Sequence, residues 1–320
     1  MYINMSGLIN IILFITVLVI YIHIINQLKT SEDLEVYEMD YTNNIHLQEV
    51  CDIKQPVLFE YNNIASEFFE NINKDSIFNN NEDIKVKDIR DYYNDNNVDY
   101  IVLPLESATN LMTTDTHSNY FTENNEDFIE SSDLYQYFHM NDTYLKPTFS
   151  MISKYDIMFG SSNCITPLRY HTDFRKFISV HSGKIKIKMT PWKSSKFLHP
   201  YKDYENYDFR SPINVWNPDK NFKKDFDKIR FLEFDITSGY MLHIPPYWWY
   251  SIQFKDGKDT IISSITYNSL MNCVSNLPNW GLYYLQLTNT KTKITKTLPI
   301  EPNNSNDSVN DIDEISIQEI

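Results

Sequence analysis

Thr166-Pro-Leu-Arg-Tyr-His-Thr-Asp173 and, far downstream, Gly239-Tyr-Met-Leu-His-Ile-Pro-Pro-Tyr-Trp-Trp-Tyr250 are the two stretches that decide the fold of this 320-residue chain. A His-x-Asp pair followed by a distant Ile-Pro-Pro-Tyr-Trp-Trp strand is typical of a double-stranded β-helix, whose strands surround one pocket. Alternate residues of a strand face the same side, so His171 and Asp173 are expected to face this pocket together. Tyr250 directly follows the paired tryptophans of the second stretch.

The two stretches resemble the JmjC and cupin-like domain family, whose active members are Fe(II)- and 2-oxoglutarate-dependent oxygenases. Family segments similar to the first stretch read Thr-Pro-Leu-His-Tyr-Asp, and those similar to the second read Gly-Asp-x-Leu-x-Ile-Pro-x-x-Trp-Trp-His. The resemblance covers roughly residues 50–270. It implies a mainly β protein, a double-stranded β-helix or jelly roll with flanking helices.

The register of the first stretch determines the expected chemistry. Aligned without gaps from Thr166, the family's His-x-Asp pattern falls on Arg169 and His171. The distal His of the family then falls on Tyr250, and its cosubstrate-anchoring lysine falls on Lys184. An iron site of this type needs two imidazoles and one carboxylate. Because Arg169 has no lone pair to donate and a phenol has a pKa of about 10, this register predicts a degenerate pocket that keeps the fold without iron.

A shift of two residues gives the alternative register, because an even shift leaves strand parity unchanged. His171 and Asp173 then become metal ligands, with Tyr250 still in third place. In this alternative the chain is an active Fe(II)/2-oxoglutarate-dependent hydroxylase acting on a protein side chain. Lys184 or Thr166 would anchor the carboxylate of the cosubstrate. His171 also fits a simpler interpretation, a buried strand histidine satisfied by a polar neighbour.

Trp248 and Trp249 lie on the expected pocket strand. Because adjacent strand residues face opposite sides, one tryptophan is predicted to lie in the core and the other to pack against a helix. His243 is separated from Tyr250 by an odd number of positions, so it is predicted to face away from the pocket.

Composition and charge limit the classes of partner. Aromatic residues make up 15% of the chain and supply large apolar side chains for a β-sheet core. The net charge of −15 disfavours a nucleic-acid partner, because phosphate neutralisation requires clustered Lys and Arg. The best basic cluster is Lys184, Lys186 and Lys188, which alternate along one strand and are expected to be solvated. Three widely spaced cysteines define neither a disulfide framework nor a zinc site.

An apolar run without obligatory charge covers residues 8–26. At about 1.5 Å per residue, a helix of this length crosses most of the hydrocarbon core of a bilayer. Cleavage as a signal peptide would require small residues after the run, whereas the first alanine of the chain is Ala65. We therefore predict an uncleaved single-pass anchor with the lipid bilayer as its partner, in a host or virion membrane.

These patterns predict a division of the chain into an N-terminal tip (1–7), a transmembrane anchor (8–26), an acidic stalk (27–45), a JmjC/cupin-like domain (46–300) and a disordered acidic tail (301–320). Within the domain, the apolar spacing from Ile64 to Ile72 predicts a helix. The stretch from Trp280 to Leu285 is expected to form a short packing element.

The predicted function is that of a membrane-anchored binding or structural module without iron-dependent catalysis, and therefore without a cofactor. A protein partner is compatible with this prediction. The alternative is the Fe(II)/2-oxoglutarate-dependent hydroxylase described above. A third hypothesis is a structural virion or organelle-membrane component in which the domain is a spacer, since the composition resembles that of large DNA virus proteins.

Overall fold

The computed structural model describes residues 5–78, 82–94, 98–255 and 259–289, so the predicted tail at 301–320 lies outside the described residues. The described chain is mostly sheet with flanking helices, which confirms the fold class at that level. Its strands are β1 (Tyr37–Glu38), β2 (Val57–Glu60), β3 (Asp83–Asp88), β4 (Ile101–Pro104), β5 (Tyr120–Thr122), β6 (Ser150–Met158), β7 (Arg169–Tyr170), β8 (Arg175–Ser182), β9 (Lys184–Thr190), β10 (Tyr201–Asp203), β11 (Asp208–Arg210), β12 (Leu232–Thr237), β13 (Tyr240–Ile244), β14 (Trp249–Phe254) and β15 (Ile261–Ser269).

Short helices connect and flank these strands, and two longer helices lie near the ends of the described chain. The helices are α1 (Met5–Leu28), α2 (Asn44–Cys51), α3 (Ser66–Asn71), α4 (Lys74–Phe78), α5 (Ile89–Asn94), α6 (Leu105–Thr114), α7 (Glu126–Ser131), α8 (Tyr135–Met140), α9 (Asp142–Leu145), α10 (Ser195–Leu198), α11 (Lys223–Phe226) and α12 (Leu270–Asn289). The helix predicted from Ile64 to Ile72 corresponds to α3, which buries Phe68.

Two six-stranded sheets form the centre of the domain. The first runs in the order β1-β2-β13-β8-β15-β6 and the second in the order β10-β11-β7-β14-β9-β12, while β4-β3-β5 form a smaller sheet. β1 and β2 pair in parallel, and the remaining neighbours in the two large sheets pair antiparallel. Apart from the hairpin of β10 and β11, neighbouring strands of the two large sheets are not joined by short turns, so the sheets bring distant segments together.

The two large sheets pack face to face. Alternate residues of the first sheet point either to the second sheet or to the helices on the other side. Val180 of β8 and Ile262 of β15 share one buried cluster with Ile187 of β9 and Ile252 of β14. Tyr267, an odd number of positions from Ile262, belongs instead to the cluster formed with the helices. The first sheet therefore has the second sheet on one face and the helical layer on the other.

The last helix differs from the sequence prediction. Trp280 to Leu285 is part of α12, a continuous helix of 20 residues, and not a short separate element. Pro278 lies inside this helix and Gly281 follows it, two residues that usually indicate a helix end in a sequence. Tertiary contacts fix the first half of α12. The side-chain amides of Asn272 and Asn276 both donate hydrogen bonds to the carbonyl oxygen of Thr172.

At the other end of the described chain, the segment Gly7–Leu28 of α1 is long and apolar enough to cross a membrane, and none of its most apolar window is buried. A membrane anchor and a signal sequence share these features. α1 contacts α12, and Gln27 is buried near the end of α1. Part of the segment predicted as a stalk, 27–45, is built into the first sheet, because Tyr37–Glu38 pairs with β2.

Candidate functional site

A cavity of about 480 Å³ lies between the two large sheets. The second sheet contributes Arg169 and Tyr250 to its lining, and the first sheet contributes Lys176 and Ser264. Glu123, which directly follows β5, closes one side of the cavity. The cavity is thus formed by strands and loops that are distant in sequence.

The three positions that the gap-free register assigns to metal ligands meet at this cavity. Tyr250 on β14 lies directly opposite Arg169 on β7 in the antiparallel pairing. The guanidinium carbon of Arg169 is 6.0 Å from the centre of the Tyr250 ring. The His171 ring lies 6.2 Å from the same phenol ring, centre to centre. The positions that the gap-free register assigns to the metal ligands are therefore brought together in space, and they carry Arg, His and Tyr.

Arg169 forms a buried ion pair with Glu123. Only 13% of the Arg169 side chain and 4% of the Glu123 side chain are exposed. Burial acts to raise the pKa of Glu123, but the charge and hydrogen bond of Arg169 outweigh it, so that the net pKa is lowered. The Tyr92 hydroxyl donates a further hydrogen bond of 3.0 Å to Glu123. The carboxylate is therefore ionised and fixes the Arg169 guanidinium in the cavity wall.

Sequence reasoning did not identify Glu123 as a site residue. It lies in a stretch rich in Thr, Asn, Glu and Asp, where nothing in the local pattern distinguishes one acid from its neighbours. The available signal was indirect: a buried arginine needs a carboxylate partner, because leaving one charge of such a pair alone is strongly unfavourable.

His171 is fixed by the backbone of the first sheet. Its Nε2 lies 3.0 Å from the carbonyl oxygen of Ile244, which can only accept, so Nε2 carries the proton. Burial lowers the pKa of His171 to about 4, although the charge of Asp173 acts in the opposite direction. The ring is therefore neutral near pH 7, and Nδ1 presents a lone pair 3.6 Å from the Asp173 carboxylate. Asp173 itself accepts a hydrogen bond of 2.9 Å from the Asn268 side chain.

These residues do not fit a ferrous ion. Arg169, which the gap-free register aligns with the first imidazole, offers no lone pair, and its guanidinium is paired with Glu123. Tyr250 supplies a phenol where a second imidazole is needed. Throughout the described ranges, no group of three or more His, Cys, Asp and Glu side chains is arranged to hold a metal ion.

The residues predicted to anchor a cosubstrate lie away from the cavity. Thr166 is buried, and its Oγ1 accepts a hydrogen bond of 2.9 Å from the backbone N–H of Ile252. Lys184 is 41% exposed and its ammonium lies 3.7 Å from Asp235 on the neighbouring strand. The reason is strand parity: Ile185 faces the core from β9, so Lys184 faces outward. Lys186 and Lys188 share this outward face and pair with Glu233.

The two tryptophans lie on opposite faces of the second sheet, and neither lines the cavity. Trp248 belongs to the core between the large sheets, and its indole N–H donates to the carbonyl oxygen of Lys54 at 3.0 Å. Trp249 donates to the Ser195 hydroxyl of α10 at 2.7 Å. His243 faces the helical layer, with its ring centre 5.2 Å from that of Phe177.

Several buried polar atoms at the cavity have no hydrogen-bond partner among the described residues. They are Nε of Arg169, Nδ1 of His171 and Oγ of Ser264. Buried polar groups are normally hydrogen-bonded, to protein or to ordered water. Lys176 adds a cationic side chain to the same lining. A cavity of this size with converging polar atoms can hold a small polar molecule or a cluster of waters.

Comparison with known proteins gives partial similarities. The chain is 28% identical to "JmjC domain-containing protein D" of Dictyostelium discoideum over 94 residues. These residues make up 29% of this chain and 21% of that protein. Over 109 residues, it is 27% identical to "HSPB1-associated protein 1" of Mus musculus, covering 34% of this chain and 23% of that protein. The Bos taurus protein of the same name is 28% identical over 109 residues, which cover 34% of this chain and 22% of that protein.

No protein-family model matches the chain. The matched stretch spans less than a quarter of the length of each of these relatives. The similarities support a relationship to JmjC and cupin-like proteins, in agreement with the two motifs of the sequence.

Proposed function

We propose that this chain is a membrane-anchored JmjC/cupin-like protein whose domain, a double-stranded β-helix, is a non-catalytic binding module. The observation that carries the proposal is the buried ion pair of Arg169 with Glu123 at the position of the first metal ligand. A guanidinium has no lone pair to donate, so Arg169 cannot coordinate a metal ion. The fold is kept while the iron chemistry is lost.

The binding role is supported by the cavity itself. A protein that needed the domain only as a spacer would gain stability by filling the space between its sheets, because empty volume in a core is unfavourable. Here the space remains open at about 480 Å³, and it is lined by polar atoms without partners among the described residues. We infer that the ligand is a small polar molecule that accepts hydrogen bonds from Ser264 and Arg169.

Anchoring through residues 8–26 is supported by α1. Its apolar side chains are exposed along the helix, and this exposure is unfavourable in water and favourable in hydrocarbon. The segment contains no Asp, Glu, Lys or Arg to oppose insertion. The bilayer is therefore the first partner of the protein in this proposal.

The test compares the full chain in detergent micelles with a restored triple variant, Arg169→His with His171→Asp and Tyr250→His, which recreates the ligand set of the family. Each protein is mixed anaerobically with Fe(II) and 2-oxoglutarate, and thermal unfolding is followed before air is admitted. Specific binding to the folded state raises the midpoint of unfolding. We expect no metal-dependent stabilisation and no succinate formation for the natural chain.

The second candidate function, the Fe(II)/2-oxoglutarate-dependent hydroxylase, is favoured by one observation, the proximity of His171 to Asp173 at 3.6 Å. It requires iron-dependent succinate formation by the natural chain, and this activity must disappear in His171→Ala and Asp173→Ala. Such a result would refute the non-catalytic proposal. A domain that serves only as a spacer would instead show no stabilisation by any member of a library of small polar metabolites.

A further inference from the structure

From Leu277 onward, α12 exposes an apolar surface that no part of the described chain covers. We call this the α12 surface; it comprises Leu277, Leu282, Tyr284, Leu285 and Leu287. Tyr284 is 69% exposed and Leu285 is 60% exposed. Contiguous exposed apolar residues of this kind mark a site of contact with another protein or with a membrane.

The composition of α12 separates it from an ordinary surface helix. The 20 residues of Leu270–Asn289 include no Asp, Glu, Lys, Arg or His. A helix that lies between a protein core and water normally carries charged residues on its outer face. The exposed positions of α12 instead carry Leu and Tyr, together with the uncharged Gln286 and Thr288. Trp280 is partly buried, and its side chain forms a hydrogen bond with Tyr207 of the domain.

Contacts with the domain fix the orientation of α12. Asn272 and Asn276 hold its first half to the carbonyl oxygen of Thr172. In its second half, the ring of Tyr283 packs against Tyr207 at 5.6 Å between centres. Because both halves of α12 contact the domain through these residues, the exposed residues of the α12 surface are directed away from the sheets.

The helix that carries the α12 surface contacts α1, the helix that we assign to the bilayer. The buried Gln27 near the end of α1 lies on the side of the domain. If α1 crosses a membrane, α12 is therefore held close to the membrane surface. Tyr and Trp are enriched at the headgroup level of membrane proteins, where their rings meet apolar and polar surroundings at once.

We propose that the α12 surface lies in the headgroup region of the bilayer that α1 crosses and docks the domain on that membrane. This inference rests on the anchoring part of the proposed function. Interfacial helices bury their apolar face about 5–10 Å into the boundary between headgroups and acyl chains. The sequence that follows, Thr290-Lys-Thr-Lys-Ile-Thr-Lys296, carries three lysines suited to anionic headgroups, which favours a lipid occupant over a second copy of this acidic chain.

The experiment places an environment-sensitive fluorophore at single cysteines in the full chain, reconstituted in phosphatidylcholine liposomes containing phosphatidylserine. Tyr284→Cys and Leu285→Cys report on the α12 surface. Ile15→Cys reports on α1. Tyr240→Cys is the matched control, an exposed tyrosine on β13. A Cys273→Ser background is used, because the other native cysteines, Cys51 and Cys164, are buried.

Two quenchers distinguish lipid from water. Nitroxide-labelled lipids quench fluorophores inside the bilayer, and iodide quenches those in water. At positions 284 and 285 we expect quenching by the nitroxide-labelled lipids and protection from iodide. At position 240 we expect quenching by iodide and none by the labelled lipids. Iodide quenching at 284 and 285, with lipid quenching at 15, would overturn the inference and leave the anchor intact. Protection from both quenchers would place protein over the α12 surface and would also overturn it, whereas iodide quenching at 15 would refute the anchor and the docking together.

Discussion

Replacing Glu123 by Gln tests the buried ion pair at the cavity. Glutamine has nearly the same shape as glutamate and keeps an oxygen that can accept the hydrogen bond of Tyr92, so the main change is the loss of one charge. The buried Arg169 side chain, 13% exposed, then loses the carboxylate that forms its ion pair. Breaking a buried pair in this way costs about 3–5 kcal/mol of unfolding free energy. We expect a value near the lower end, about 3 kcal/mol, because the amide oxygen of the introduced glutamine still accepts a hydrogen bond from Arg169.

The assay is urea unfolding of the full chain in detergent micelles, followed by tryptophan fluorescence. Lys74→Gln is the matched control, because Lys74 pairs with Asp259 at 2.8 Å while 45% and 61% of the two side chains are exposed. An exposed pair contributes about 0–1 kcal/mol, so this change is expected to be nearly neutral. The comparison isolates burial as the cause of the difference.

The combination of Glu123→Gln with Arg169→Met completes a double-mutant cycle. Because the two groups contact each other, the double variant should lose less unfolding free energy than the sum of the two single variants, by about 1–3 kcal/mol. The reasoning is refuted if Glu123→Gln costs no more than Lys74→Gln, or if the two single effects add without coupling.

Three further predictions concern the rest of the domain. Gly183→Ala should lower the unfolding free energy by about 1–3 kcal/mol in urea titrations, because φ is +69° there and an added Cβ would lie 2.6 Å from Oγ1 of Thr260. Burial lowers the pKa of His171 to about 4 and that of His181 to about 3. As the pH falls below about 6.5, only the unfolded chain binds protons at these two histidines. The unfolding free energy at pH 5 should therefore be about 2 kcal/mol lower per histidine than at pH 7, measured by urea titration at both pH values. Lys184→Gln should change stability in the same assay by less than about 1 kcal/mol, because its pair with Asp235 is exposed.

The convergence at the cavity could be predicted from sequence because it depends on two specific motifs. The spacing of these motifs and strand periodicity placed His171 and Tyr250 in one pocket, and the structure brings their rings to 6.2 Å. Periodicity could not choose between the two registers, because Arg169, His171 and Asp173 all line the cavity. That choice depends on the partner of each side chain.

Other features depend on contacts that a local pattern does not contain. Glu123 reaches Arg169 from a loop that precedes β7 by several elements, so only the folded chain connects them. Lys184 was assigned by alignment with the family, but the parity of β9 turns it outward. Proline usually ends a helix, yet α12 continues through Pro278, and the domain contacts the helix on both sides of this residue.

The central claim, that the cavity has lost the capacity to bind iron, is tested most directly by measuring bound metal. The full chain is dialysed anaerobically against Fe(II) with 2-oxoglutarate, and iron per chain is determined beside the restored triple variant of Arg169, His171 and Tyr250. The account predicts iron far below one ion per chain for the natural protein and a gain of bound iron in the variant. One tightly held ferrous ion per natural chain, released by His171→Ala, would contradict it.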